Sequence, residues 1–204
     1  AQLYEIVFDG NNKWMLSANG TIFTYEYEAI IPGLLKRWYA ERQEMQKKMR
    51  DCGDNEIERE YWDKRQLVKK INLNSLYGAI LNPGCRFFDM RIGQSVTLSG
   101  RCITKHMASK VNEIVAGKYD HKGESVVYGD TDSVYFSAYK TLQKEITEGI
   151  IPWTKDSVVA LYDRISDEVN TSFKAFMTKA FHTPSTRGEV IAAGRELVAS
   201  KGLF

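Results

Sequence analysis

Apolar residues recur along this chain at two periods. Between about Ile92 and Gly117 they fall three, four or seven residues apart, at Val96, Ile103, Met107, Val111 and Ile114, which predicts an amphipathic helix. Between Ser125 and Ala138 the run SVVYGDTDSVYFSA places Val126 and Val127 before a Gly-Asp pair and Val134, Tyr135 and Phe136 after it. That is the pattern of strand, tight turn and strand. Upstream, Pro32 stands where a helix can begin, and a long stretch follows to Cys52. Gly53-Asp54-Asn55 interrupts it, and a second helical stretch runs to about Tyr77, so the pair reads as an αα-hairpin. Residues 1–25 carry turn signals at Asp9-Gly10-Asn11-Asn12 and Asn19-Gly20 between short apolar-aromatic pieces, which predicts a small antiparallel β region. Beyond the central hairpin, helices are predicted near Tyr139–Glu148 and from Asp156 to about Phe181, and a β segment around Glu189–Val198. Helices and antiparallel strands in separate runs give an α+β class with a helical projection.

Composition narrows this only in part. A net charge of +2 does not announce a nucleic-acid binder, so the distribution matters more than the sum. Asp51, Asp54, Glu56, Glu58 and Glu60 crowd the turn of the αα-hairpin, leaving an acidic tip and basic shafts. Cys52, Cys85 and Cys102 are widely spaced and odd in number, which argues for reduced thiols and against a zinc site or disulfide framework. His106, His121 and His182 lack ligand spacing and read as surface or packing residues. No apolar run is long enough to cross a bilayer and no signal-peptide pattern opens the chain, so a cytoplasmic location and no membrane partner are expected.

Asp130 and Asp132 stand out against this background. An ordinary hairpin explains Gly129 and Asp130 as turn residues but leaves Asp132 at the start of the second strand, close to a like charge. Such a pair repels unless a cation lies between, and hard oxygen ligands suit Mg²⁺ held by carboxylates and substrate phosphates. Two ions so placed activate an attacking hydroxyl and stabilise a leaving pyrophosphate. The second helix of the hairpin ends in KKINLNSLYGA, where Lys70, Asn74 and Tyr77 share one face. An ammonium, an amide and an aromatic ring on one face suit a triphosphate, a sugar and a base.

YGDTDS together with Lys-x-x-x-Asn-Ser-x-Tyr-Gly, in this order, resembles the family B replicative DNA polymerases, and the phrasing NSLYGA…RFFDMR…YGDTDSVY is most like their tailed-phage, T-even-like branch. The resemblance spans about Ser17 to Gly202. It implies a polymerase palm, an antiparallel sheet with packed helices, carrying an inserted two-helix fingers hairpin. The domains would be a palm-edge β region at residues 1–30, fingers at 31–80 and palm at 81–204. The implied activity is two-metal transfer of deoxynucleotides to a primer 3′ end during phage DNA replication. Primer–template DNA, deoxynucleoside triphosphates and two Mg²⁺ ions would be its ligands, in an infected host cell if phage-encoded.

Matched position by position, the resemblance makes Asp132 the metal-binding aspartate and Asp130 its less direct partner, with Glu189 in STRGEVIAAG a third acid near the metals. Lys70 and Asn74 would meet the triphosphate and nucleotide, Tyr77 the nascent base pair, and Arg42 a phosphate. Counted from a turn at Gly53, Arg42 is level with about Lys64, so Lys70 lies six residues deeper, or roughly 9 Å at ~1.5 Å per residue.

Two departures qualify the match. Gln46 stands where the family usually has lysine, and Lys47 points about 100° away from it, which predicts weaker phosphate binding through the first helix. The family's Asp-x-x-Ser-Leu-Tyr-Pro-Ser and Lys-Lys-x-Tyr motifs are not found, nor anything like its exonuclease domain or thumb. With Ala at its start, the chain reads as a segment, inactive alone, whose remaining parts lie in the same gene product or on another chain. The alternative is a non-catalytic module that keeps the polymerase fold and only binds nucleic acid or a partner.

Overall fold

A computed structural model describes residues 2–10, 13–184 and 186–202. In chain order it holds α1 (Gln2–Phe8), β1 (Trp14–Leu16), β2 (Ile22–Thr24), α2 (Ile30–Asp51), α3 (Glu56–Ile80), α4 (Met90–Ala116), β3 (Val126–Asp130), β4 (Ser133–Phe136), α5 (Tyr139–Thr147), α6 (Lys155–Phe181) and a single 3₁₀ turn at Gly188–Val190. Strands β1 and β2 pair with each other, as do β3 and β4. The α+β class is therefore observed. The chain divides into two compact units, Thr24–Gln94 and the remainder.

The first unit is built on α2 and α3. Gly53 takes the left-handed conformation (φ +55°) that ends α2, and Asn55 caps α3 by accepting from the Glu58 backbone N–H at 3.2 Å. The helices lie antiparallel along a polar seam. Lys69 pairs with Glu41, Arg42 Nε donates to Gln66 Oε1 at 3.2 Å, and Lys48 Nζ stands 4.7 Å from the centre of the Trp62 ring. No residue of α2 is buried. These contacts correct the expected register, because Arg42 is level with Gln66 and not Lys64. Lys70 is then four residues deeper, roughly 6 Å at ~1.5 Å per residue.

The second unit has the hydrophobic core. On α6, Ile165, Val169, Phe173, Met177 and Phe181 recur every four residues and are buried, forming one stripe. Val111 of α4 joins Ile165, Val169 and Phe173, with Met107, Val126 and Phe136 packed around them. Asn112, beside Val111 and 1% exposed, fastens the entry to β3. Its amide donates to the Asp120 carbonyl at 2.8 Å and its Oδ1 accepts from the Ser125 N–H at 3.0 Å. A Cβ on Gly123 would come within 2.5 Å of that side chain, so this loop approaches too closely for any other residue.

Two expectations need correction here. The opening of the chain is not all β, because Gln2–Phe8 form α1. Tyr4 and Phe8, one helical turn apart, pack against each other with ring centres 4.9 Å apart, and Phe8 lies 4.7 Å from the His182 ring, which favours the helical period. Part of the first turn signal, Asn11-Asn12, lies outside the described residues. The segment around Glu189–Val198 is not a strand either. It docks on α6 through side chains: Asn170 Oδ1 accepts from the Ala193 N–H at 2.7 Å, and Asn170 Nδ2 and Ser166 Oγ donate to the Ala193 carbonyl. A strand needs a backbone partner, and side-chain amides and hydroxyls fill that role here.

Candidate active site

β3 and β4 pair antiparallel, with Gly129 opposite Val134 and Asp130 opposite Ser133. The turn is therefore Thr131-Asp132, two residues later than expected, and Asp132 is its second residue, not the start of a strand. The residue with positive φ is Thr131 (+37°), not Gly129 or Asp130. For a β-branched side chain that conformation is strained by roughly 1–3 kcal/mol and persists only where surrounding contacts enforce it. Those contacts are visible. Thr104 of α4 brings its Oγ1 to 2.8 Å from the Thr131 carbonyl oxygen, closer than the 3.2 Å to its own helix's Gly100 carbonyl. Thr131 Oγ1 donates to Asp130 Oδ1 at 3.0 Å, and Ser133 Oγ to the Asp130 carbonyl at 3.2 Å. Asp130 and Asp132 are both exposed at this tip.

Glu189 has a different setting. It is exposed in the 3₁₀ turn, and Lys174 Nζ donates to its carboxylate at 2.6 Å. That hydrogen bond, helped by the lysine charge, holds the Glu189 carboxyl below the usual carboxylate range. Among the described residues no three His, Cys, Asp or Glu side chains gather as a metal cluster. The hairpin thus brings Asp130 and Asp132 together, while Glu189 is tied to Lys174.

The nucleotide-binding candidates all lie in the other unit. Lys70 and Asn74 are exposed and make no hydrogen bond or ion pair among the described residues. Tyr77 is half-buried and donates its hydroxyl to the Gly93 carbonyl at 3.0 Å, which fixes the ring. Arg42 is half-buried on the α2–α3 seam, held through Nε by Gln66. Gln46 shares that half-buried side, whereas Lys47 is exposed, in agreement with their divergent directions.

Sequence reasoning missed Thr104 and Asn112, the two residues of α4 that set the hairpin's tip and base. A signal existed. Both are polar residues of weak helix propensity beside the apolar stripe of Ile103, Met107 and Val111, where solvent would not satisfy them.

A profile of "DNA polymerase family B" matches residues 8–177. The DNA-directed DNA polymerase of Escherichia phage RB69 is 40% identical over 80 residues, covering 39% of this chain and 9% of the relative. That of Enterobacteria phage T4 is 39% identical over 82 residues, again 39% of this chain and 9% of the relative. DNA polymerase 1 of Pyrococcus abyssi (strain GE5 / Orsay) is 25% identical over 186 residues, 88% of this chain and 22% of the relative. The matched part is less than a quarter of the length of each of these relatives.

Proposed function

The chain belongs to DNA polymerase family B, and from that premise we propose that it supplies the reaction-centre turn and the nucleotide-binding helical hairpin of a DNA-directed DNA polymerase acting in phage DNA replication. The observation that carries this reading is the tip of the β3–β4 hairpin. Two exposed carboxylates are presented on one turn, held in a strained conformation by a helix that passes beneath. Strain kept at an exposed turn marks function more often than packing.

Residues 31–80 act as fingers, with residues 1–30 and 81–204 as palm. Two adjacent carboxylates fit Mg²⁺, which is commonly held by one or two such groups plus substrate phosphates. Asp132 and Asp130 would hold it, with Glu189 as the third acid once exchanged from Lys174. When bound, Mg²⁺ supplies Lewis acidity at the phosphate and acidifies the attacking hydroxyl. Lys70 and Arg42 grip the triphosphate, and Asn74 meets the nucleotide. Tyr77 sets its ring against the nascent base pair. The primer 3′ oxygen attacks the α-phosphorus, the bond to the β-phosphate oxygen breaks, pyrophosphate leaves, and the hydroxyl proton goes to solvent.

The partners are primer–template DNA, deoxynucleoside triphosphates and polymerase segments carrying the exonuclease, the first palm motif and the thumb. The site of action is the cytoplasm. No helix among the described residues is long and apolar enough to cross a membrane. On their own these residues do not polymerise, because two hairpin carboxylates hold Mg²⁺ weakly and position no 3′ hydroxyl. One observation favours the alternative of a non-catalytic binding module, namely the Lys174–Glu189 ion pair, which occupies the third acid. Mg²⁺-dependent incorporation by the chain, alone and with a fragment bearing the first palm motif, decides between them. Incorporation only with the fragment supports the polymerase, and none in either case supports the module.

A further inference from the structure

The β3–β4 hairpin is held at its base by packing and at its tip by a single outside hydrogen bond. Val126 and Phe136, opposite each other in the ladder, pack against the core. Beyond Val126 every residue of β3 is exposed and β4 is only half-buried, so little packing reaches the turn. Among the described residues, the 2.8 Å bond from Thr104 Oγ1 to the Thr131 carbonyl is the one hydrogen bond between residues 130–133 and anything outside the hairpin.

A threonine inside a helix ordinarily turns its hydroxyl back on the carbonyl four residues earlier. For Thr104 that carbonyl, on Gly100, is in reach at 3.2 Å, yet the hairpin carbonyl is the nearer acceptor for its one proton. What it grips is the peptide joining the two central residues of the turn. There φ is positive at Thr131 and not at Asp132, the pattern of a type II′ turn, whose first central residue is ordinarily glycine. Relaxation of that φ would reorient the carbonyl, so the Thr104 bond opposes it. The same peptide leads directly into Asp132, and Thr131 Oγ1 holds Asp130 Oδ1 at 3.0 Å. Both carboxylates take their direction from the peptide that Thr104 pins.

We infer that Thr104 is a positioning residue for the metal-dependent chemistry, its hydroxyl acting through Thr131 to hold the Asp130 and Asp132 carboxylates in the arrangement that Mg²⁺ requires. This rests on the reading of those two aspartates as metal ligands. Mg²⁺ demands near-octahedral geometry, so a turn free to relax binds it more weakly even with both carboxylates present. Thr104 itself bonds only to backbone carbonyls.

The test combines the chain with a fragment bearing the first palm motif. Mn²⁺ binding is followed by electron paramagnetic resonance, beside Mg²⁺-titrated primer extension. Thr104→Val keeps the side chain's shape and removes the hydroxyl. It is expected to weaken Mn²⁺ binding and to raise the Mg²⁺ requirement roughly three- to tenfold, the size of one hydrogen bond's contribution. Saturating Mg²⁺ should bring the rate back towards wild type. Thr104→Ala, a second way to lose the hydroxyl, should match it, and Thr104→Ser should restore wild-type metal affinity. In a Thr131→Gly background, where positive φ carries no strain, Thr104→Val should change that affinity less than about twofold. Wild-type Mn²⁺ affinity in Thr104→Val would overturn this inference alone. So would a loss that Thr104→Ser fails to restore, a loss undiminished in the Thr131→Gly background, or unfolding of both hydroxyl-free variants, which would make Thr104 structural. Wild-type Mn²⁺ binding that Asp132→Asn leaves intact would remove the metal assignment, and this inference with it.

Discussion

Replacing Asn112 by leucine removes the clasp that sets the base of the β3–β4 hairpin while keeping a side chain of similar shape. The cost follows from the partners. Ser125 is 2% exposed, and its N–H would lose the Asn112 acceptor at 3.0 Å. Orphaning a buried donor costs ~1–3 kcal/mol. The Asp120 carbonyl would lose a 2.8 Å donor, a further ~0.5–1.5 kcal/mol. Leucine methyl groups would stand where Oδ1 and Nδ2 approach their partners at hydrogen-bond distance, closer than carbon tolerates, and the Gly123 backbone above leaves no slack. The destabilisation should therefore be about 2–4 kcal/mol. Urea denaturation followed by circular dichroism measures it, with the midpoint falling and the slope unchanged. Hydrogen exchange should show the Ser125 amide losing protection first. A loss below about 1 kcal/mol, or a large loss with that amide still protected, would refute the assignment of Asn112 as the clasp.

Other outcomes are specific enough to check. Asp132→Asn should leave the thermal midpoint level or slightly raised, because the carboxylate is exposed beside Asp130, while abolishing metal-dependent incorporation in a complemented enzyme; a large stability loss would make Asp132 structural. Lys70→Ala should impair nucleotide use through KM, kcat or both and spare primer–template affinity, and the reverse pattern would put its face on the wrong ligand. His106 is buried, stacked on Phe176 and held by Tyr119 Oη and Ser172 Oγ, and burial, with Lys110 nearby, lowers its pKa below the usual 6.5. The folded chain therefore resists protonation that the unfolded chain accepts. Its contribution to stability is complete above pH 6.5 and is lost as pH falls from there towards the folded value. Urea midpoints measured at descending pH should fall faster for wild type than for His106→Gln, and parallel curves would contradict this.

The long helices were legible because local and tertiary demands agree. The Gly53 break and the Asn55 cap coincide with where α2 and α3 separate, and the stripe on α6 keeps one period throughout. The hairpin and its two carboxylates were legible for the same reason. The exact turn was not, since dihedral preference favours Gly129 at the strained position, and Thr131 is placed there by Thr104 from 27 residues away. The apolar run after Glu189 has a strand's composition, but its pairing is decided by Asn170 and Ser166 on another element, which no local pattern records. The partner of Glu189 is likewise set by the fold, because Lys174 lies 15 residues upstream on α6. In the N-terminal stretch, turn residues drew attention away from the Tyr4–Phe8 spacing that marks α1.

Whether the Thr131-Asp132 turn is the reaction centre of a DNA polymerase is tested most directly by a Mg²⁺-titrated primer-extension measurement. The chain is combined with a fragment carrying the first palm motif, as wild type, Asp130→Asn and Asp132→Asn. Template-directed incorporation is expected from the wild-type combination, none from Asp132→Asn, a lesser loss from Asp130→Asn, and none from the chain alone. Undiminished incorporation by Asp132→Asn would contradict that role for the turn.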